Sequence, residues 1–467
     1  MDFRPVNTYD QLRYNNLPNL ETHPNRLSVL AKLAGLEPAP LETCRVLELG
    51  TSEAANIIGM AVALPGAEFV GVDLAQEPLA RGQRVIDDLG LRNVQLQCKN
   101  LLNIDESLGT FDYILTHGIY GWTPPEVGEK ILEIAERCLT PEGVAFISYN
   151  TKPAGHIRRL VRDMMLYHAG RFENPVERLA SAREFLKILA LGRPEPEAFD
   201  AAATSYARDL LEHSDSALFH DDLAPVYEPV YFHDFVARAE AHQLQYMGDA
   251  NGYDAPRNLR AEAMEAVRAM AAGDRIAELQ FFDFLRMRGF RRSLLCRNHQ
   301  RLADDWDASR IVGCYATTAA NEDKDGAFCG ADNVRLTTAH PVPIAYMRRL
   351  IQSRPVSIKV EPDQAYVALE LFKGGIIELH VTPGAAAEAG PRPRVSPLAR
   401  HQAMNGELHV TTLWHRALEV EGEEARRMLT LLDGTRDREA LCQAMDCSHE
   451  RLDAELHMLG RLGLLVE

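Results

Sequence analysis

VLELGTSEAANIIGMA, Val46 to Ala61, and the apolar run EFVGVD that ends at Asp73 together read as strand, turn, helix, strand. A buried strand over Arg45–Leu49 carries Glu48 near its end and passes into the turn glycine Gly50. A helix opens near Ala54, and the next strand delivers Asp73 roughly 20 residues after the turn, the spacing that brings a carboxylate to a ribose diol. A dinucleotide loop needs its second glycine so that backbone can approach a pyrophosphate. Here Ser52 and Ala55 hold the second and third glycine places, so pyrophosphate contact is disfavoured and a nicotinamide dehydrogenase fails on this pattern. S-adenosylmethionine has no phosphate, and small residues suffice against it. The segment therefore reads as the adenosine half of an S-adenosylmethionine site.

The surrounding pattern predicts a doubly wound α/β sheet. Strand-like runs recur at Val94–Asn100, Phe111–Gly118 and Gly143–Asn150, with helical patterns between them. Pro124 and Pro125 can start a helix whose apolar face is Val127, Ile131, Ile134 and Cys138. Two further strands, Leu244–Ala250 and Arg291–Arg297, each follow a helical pattern, Phe232–His242 and Ile276–Arg288. Seven strands with a late final pair, the last one antiparallel, are the expectation. Upstream, Thr22-His23-Pro24 starts a helix with a buried stripe at Leu27, Leu30, Ala31 and Leu33, and Gly35 stops it.

At 467 residues the chain holds two or three domains. We divide it into an N-terminal arm at 1–40 and a methyltransferase domain at 41–297, which includes a helical insertion at 151–225 and a segment at 226–297 that completes the sheet. The first part of a C-terminal region follows at 298–382, then a Pro/Gly/Ala-rich linker or long loop at 383–397, and an α+β winged-helix-like domain at 398–467. The insertion leaves a strand at the end where ligands bind in such sheets, so it is a lid or substrate platform, or else a packing or homodimer element. Hydrophobic content of 46% and charged content of 25% are those of a soluble globular protein. No run is long and apolar enough for a membrane span, and the N-terminus lacks signal-peptide character, so a cytoplasmic location is expected. A net charge of −17 argues against nucleic acid, and Glu450, Asp453 and Glu455 on the last helix argue against a DNA-reading role there. Cys442, Cys447 and His449 fit no zinc-ligand spacing, and no metal is expected.

Beyond these patterns, the chain resembles the bacterial methyltransferases that carry a methyltransferase regulatory domain, the group that includes the rickettsial protein lysine methyltransferases. The resemblance runs nearly end to end: YDQLRY and THPNRL, CRVLELG, FVGVDL, FDYILTHGIYGWTP, GVAFISYNT, RRLVRDMMLYH, PVYFHDF, RRSLLCR, LARHQA and LLDGTRDR. It implies a class I S-adenosylmethionine fold acting on a protein substrate, with lysine the acceptor in some members. It assigns cofactor contacts to Tyr14, Glu48, Gly50, Thr51, Ser52, Asn56, Asp73, Leu74, Asn100, Leu101 and His117. The acceptor side falls to Tyr120, Trp122, Tyr149, Asn150 and His156. The chain departs from the family pattern at Ala54 and Ala55, where glycines are usual, at Asn100 in place of an aspartate, and at Ala154-Gly155 in place of Gly-Trp before His156. The alternative to an active enzyme is a catalytically weak or silent scaffold that binds cofactor and a protein partner.

Overall fold

The computed structural model describes residues 13–14, 16–195, 197–252, 259–330 and 334–466. Seven strands form one sheet: β1 (Arg45–Leu49), β2 (Glu68–Asp73), β3 (Val94–Cys98), β4 (Phe111–Thr116), β5 (Leu139–Asn150), β6 (Leu244–Asp249) and β7 (Phe290–Arg297). Their order is β3-β2-β1-β4-β5-β7-β6. β1 to β5 run parallel, whereas β7 is antiparallel to both β5 and β6, as expected. Central parallel strands are covered on both faces and so must be apolar throughout. Val46, Leu47 and Leu49 of β1 are accordingly fully buried.

Helices α1 (Pro24–Ala34), α2 (Ala55–Ala63) and α3 (Gln76–Leu89) cover one face, packing residues such as Leu30 and Ile58 on Val46, Phe69 and Phe146. The opposite face is covered by α4 (Pro125–Cys138), which buries Ile131 and Ile134 against Phe111, Ile114 and Ile147. The insertion supplies α5 (Ala154–Ala169), α6 (Pro175–Leu191) and α7 (Ala198–Leu211), which bury their own core of Val161, Met165, Leu186 and Leu210. α8 (Phe232–Ala241) then returns to the α4 face with Phe232 and Phe235. α9 (Ala261–Ala271), which the sequence reading did not anticipate, precedes α10 (Arg275–Arg286).

Local chemistry explains several boundaries. The α1 N-cap is His23, whose Nδ1 accepts from Asn25 N, and Pro24 takes the first helical position where no N–H is needed. Gly35 ends α1 at φ +99°, a left-handed conformation that favours glycine. The N-terminal segment is less separate than its expected status as an arm, because Leu27, Val29 and Leu33 of α1 are fully buried in the sheet domain. Of the YDQLRY motif only Arg13 and Tyr14 lie within the described residues. β7 is pinned by Arg291, fully buried, which donates to both oxygens of Asp283 at 2.7 and 2.8 Å and reaches Asp249 at 3.4 Å. Removing one side of such a buried pair costs roughly 3–5 kcal/mol, since the other charge is left stranded.

The C-terminal region begins with a three-stranded antiparallel sheet in which Tyr315–Thr317 lies between Ile358–Lys359 and Glu378–His380. It docks on α1, where Asn25 Oδ1 accepts from Val381 N at 2.7 Å and Thr382 N at 3.0 Å. The 383–397 stretch is anchored rather than free, with Val395 N donating to Leu432 O and Ser396 N to Leu464 O. The final domain contains a helix at Pro397–Met404, a hairpin of His409–Thr411 and Ala417–Glu419, and helices Glu423–Leu431, Arg438–Met445 and His449–Arg461. The end of the chain pairs back on this domain through a single bridge, Val395 to Leu465.

Candidate active site

The crevice opens where β1, β2, β4 and β5 end. Gly50 leaves β1 at φ +78°, and a Cβ there would lie 2.3 Å from Ile119 Cδ1, so no side chain fits. Ser52 and Ala54 also take left-handed backbone, at φ 50° and 59°, whereas Ala55 is the first residue of α2. One of the two alanines that replace family glycines therefore sits where glycine would be relaxed, and the other is an ordinary helical residue. The loop keeps its turn without glycine.

Asp73 holds this turn from the end of β2. Its Oδ2 accepts Ser52 N and its Oδ1 accepts Ala75 N, both at 2.8 Å. Ser52 Oγ and Thr116 Oγ1 are buried without a hydrogen-bond partner among the described residues. A turn that keeps small residues, an acid at the end of the second strand and two buried hydroxyls fit a phosphate-free nucleoside ligand such as S-adenosylmethionine. Leu74, beside Asp73, is 61% exposed, an apolar surface next to the acid. Asn100 caps a short turn, its Oδ1 accepting Leu102 N at 3.0 Å, and the second lone pair of that carbonyl can still accept. Leu101 follows, half-buried.

Glu48, Thr51 and Asn56 stand elsewhere than the cofactor assignment placed them. All three are buried, and they bond to one another: Thr51 Oγ1 to Glu48 Oε2 at 2.5 Å, Asn56 Nδ2 to Glu48 Oε1 at 2.6 Å. They brace the loop from behind. Burial pushes the Glu48 carboxyl up to about 7, against the opposing pull of those two hydrogen bonds. The sequence reading missed Glu53, which is buried and paired with Arg13 at 2.8 Å and Arg81 at 2.7 Å. Asn16 Nδ2 also donates to Thr51 O at 2.9 Å, so the segment before α1 is strapped to the loop. Tyr14 on that strap meets the insertion, its ring edge-on to His220 at 5.4 Å.

At the end of β4, His117 is exposed, with its ring tilted on Phe146 at 6.1 Å and edge-on to Phe290 at 6.2 Å. Desolvation on its inner side first, and Arg292 second, lower its pKa. Ser148 Oγ accepts from Gly118 N at 3.0 Å and shares a second hydrogen bond with His117 Nδ1 at 3.0 Å.

The acceptor-side residues divide. Tyr149 is fully buried, stacked on Phe235 at 4.2 Å, with its hydroxyl on Ser293 at 2.9 Å. Tyr120 is buried beside it, edge-on to Phe235 at 5.3 Å. Both belong to the core on the α4 face, a correction to their expected place on the substrate wall. The reason is strand alternation: Ser148 and Asn150 project to one side of β5 and Tyr149 to the other. His156 also departs from expectation, exposed in the first turn of α5 with Tyr231 as its ring neighbour at 6.5 Å.

Trp122 and Asn150 do come together, in a cluster that the sequence reading had not assembled. Arg158 donates to Asn150 Oδ1 at 3.3 Å and pairs at 2.8 Å with Asp222, which is fully buried. Its guanidinium lies 4.8 Å from the Trp122 ring and 5.4 Å from that of Tyr227. Arg162 lies 4.9 Å from Tyr227 and 5.6 Å from Trp122. Asn150 Nδ2 and Tyr227 Oη are buried without a hydrogen-bond partner among the described residues. The periodicity of α5 places Arg158 and Arg162 on one face, which was the available signal.

Comparison with known proteins agrees with this geometry. Family models described as a methyltransferase domain, a predicted methyltransferase regulatory domain and a PKMT C-terminal winged helix domain match residues 46–143, 214–297 and 391–457. The uncharacterized protein RP789 of Rickettsia prowazekii is 35% identical over 304 residues, 63% of this chain and 54% of that protein, so the chain spans about half of its length. RP028 of the same organism is 34% identical over 240 residues, 50% of this chain and 94% of that protein. The structure of PKMT2 from Rickettsia typhi in complex with AdoHcy superposes with a TM-score of 0.84 at 25% identity, covering 97% of this chain and 100% of that one. The chain belongs to the S-adenosylmethionine-dependent class I methyltransferases that carry a methyltransferase regulatory domain and a PKMT-type C-terminal winged helix.

Proposed function

We propose that this protein N-methylates lysine side chains of a protein substrate. The observation that carries the reading is the cation-holding wall beside the crevice. Trp122 and Tyr227 present ring faces to a guanidinium over the buried carboxylate Asp222. A lysine ammonium is drawn to aromatic faces by the same electrostatics. The similarity to PKMT2 along nearly the whole chain supports the same class of acceptor.

When bound, S-adenosylmethionine supplies a methyl group on a sulfonium. Asp73 and the 50–56 loop would hold the nucleoside end. The attacking amine must be neutral, and two features of this chain favour loss of its proton. Tyr227 on the wall is buried, and Arg158 and Arg162 place positive charge beside any ammonium. Asn150 Nδ2 and Tyr227 Oη offer unspent hydrogen-bonding groups to orient the acceptor segment.

The test is transfer of radiolabelled methyl from S-adenosylmethionine to lysate protein of the source organism, followed by digestion to find the modified residue. Label on lysine, with turnover climbing from about pH 7 toward 9 because a free lysine titrates near roughly 10.4, is the expected result. Label only on nucleic acid or small molecules would sink the lysine reading. Tight binding of S-adenosylhomocysteine without any transfer would favour the scaffold reading instead.

A further inference from the structure

The brace behind the cofactor loop extends into the C-terminal domain. His415 sits in the turn of the hairpin between His409–Thr411 and Ala417–Glu419, at φ 57° and buried. Its Nε2 lies 2.8 Å from Asn56 Oδ1. Asn56 Oδ1 also accepts from Asn19 N at 2.9 Å, which fixes the amide orientation, so the His415 nitrogen is the donor. On its other side Asn56 Nδ2 donates to Glu48 Oε1 at 2.6 Å and to Thr22 Oγ1 at 3.0 Å.

Four parts of the chain thus meet on one amide: the strap before α1, the end of β1, the first turn of α2, and the C-terminal domain. Room for the imidazole is made by Gly59, where a Cβ would lie 3.2 Å from the His415 ring. The ring of His23 packs edge-on against it at 5.1 Å. Burial holds His415 in its neutral form, so a single proton on Nε2 is directed at Asn56.

We propose that His415 is a positioning residue for the cofactor site, by which the C-terminal domain sets the orientation of Asn56 and, through it, Glu48 and the 50–56 loop. The proposal rests on the reading that this loop receives the cofactor and is independent of the lysine acceptor. It makes the C-terminal domain part of the cofactor site's construction, so that its displacement lowers cofactor affinity with no change in any residue that touches cofactor.

Calorimetric titration of the full chain with S-adenosylhomocysteine tests it, alongside thermal midpoints. His415→Phe keeps a ring without the donor and is expected to weaken binding roughly five- to tenfold, the value of one hydrogen bond to a buried amide. H415Q offers an amide nitrogen at similar reach and is expected to bind within about twofold of the parent. In an Asn56→Ala background the His415→Phe effect should vanish, which a merely structural role would not produce. If His415→Phe does not fold, G59A serves, since alanine suits a helix interior yet displaces the ring; it too should bind more weakly. Equal affinity in His415→Phe and H415Q, an undiminished effect in the Asn56→Ala background, or unchanged affinity in G59A would overturn the proposal. Failure of the unaltered protein to bind would instead overturn the cofactor reading.

Discussion

Replacing Glu48 with glutamine separates the charge of the loop brace from its shape. The folded protein holds this carboxyl near pKa 7 against an ordinary 4.5, chiefly because the group is buried. A raised folded pKa means that the native state binds the proton more tightly than the unfolded chain. The associated stability is therefore complete below the ordinary pKa of 4.5 and is lost as pH rises through about 7. At about 1.4 kcal/mol per pKa unit, ionising the buried group withdraws on the order of 3 kcal/mol from the fold. Glutamine has no proton to lose, and it preserves the contacts, accepting from Asn56 at Oε1 while donating to Thr51 Oγ1. Glu48→Gln should thus gain on the parent by about 3 kcal/mol between roughly pH 5 and pH 9. At roughly 2 °C per kcal/mol for a large domain, the thermal midpoints should converge or cross by about 6 °C over that range. Scanning calorimetry of both proteins across the pH series reads this directly. Parallel curves with a constant gap would refute both the burial argument and the inferred protonation of Glu48.

Asp73→Asn should weaken S-adenosylhomocysteine binding by roughly 1.5–3 kcal/mol by calorimetry, and also lower the thermal midpoint because Asp73 bonds the loop amides; loss of stability alone would remove it from the ribose site. Ala54→Gly should leave urea-measured stability within about 0.5 kcal/mol, since relief of left-handed strain offsets a lost buried methyl, whereas Ala55→Gly should cost about 0.5–1 kcal/mol with no gain in cofactor affinity. Trp122→Ala should lower the methyl-transfer rate far more than cofactor affinity. Tyr149→Phe should cost about 1 kcal/mol of stability by stripping Ser293 of its partner and leave the rate unchanged, the reverse ranking of two core and wall aromatics being the outcome that contradicts their placement.

Short-range rules carried the sequence reading where it succeeded. His23, Pro24 and Gly35 mark the ends of α1 through capping chemistry that involves only neighbours. Gly50 and Asp73 fall at the ends of adjacent strands because a strand, a tight turn and a second parallel strand have fixed dimensions. Tyr149 was misplaced although the information was present: period-two alternation on β5 separates it from Ser148 and Asn150. Other features were beyond local reasoning. Arg158 and Asp222 meet across the insertion, and His415 reaches Asn56 from 359 positions away. Nothing in the residues around either partner signals such a pairing, because it is decided by how whole domains dock. Glu53 lay inside the quoted stretch, yet its arginine partners come from the strap and from α3.

The place of β7 in the sheet also bears on how the protein is made. β5 finds its outer neighbour only when Asn150 pairs with Phe290, and β6, synthesised earlier, joins the sheet solely through β7. A nascent chain that has emerged through β6 therefore holds an open, apolar sheet edge and two unmated elements. The whole insertion must be looped out before that edge closes, a long-range closure of the kind that slows folding. Asp249 also awaits its counter-charges, Arg288 at 2.7 Å and Arg291 at 3.4 Å. Release from the ribosome before the closing strand would leave a sticky β-edge, the usual seed of aggregation, so the last strand works as the molecule's commitment step.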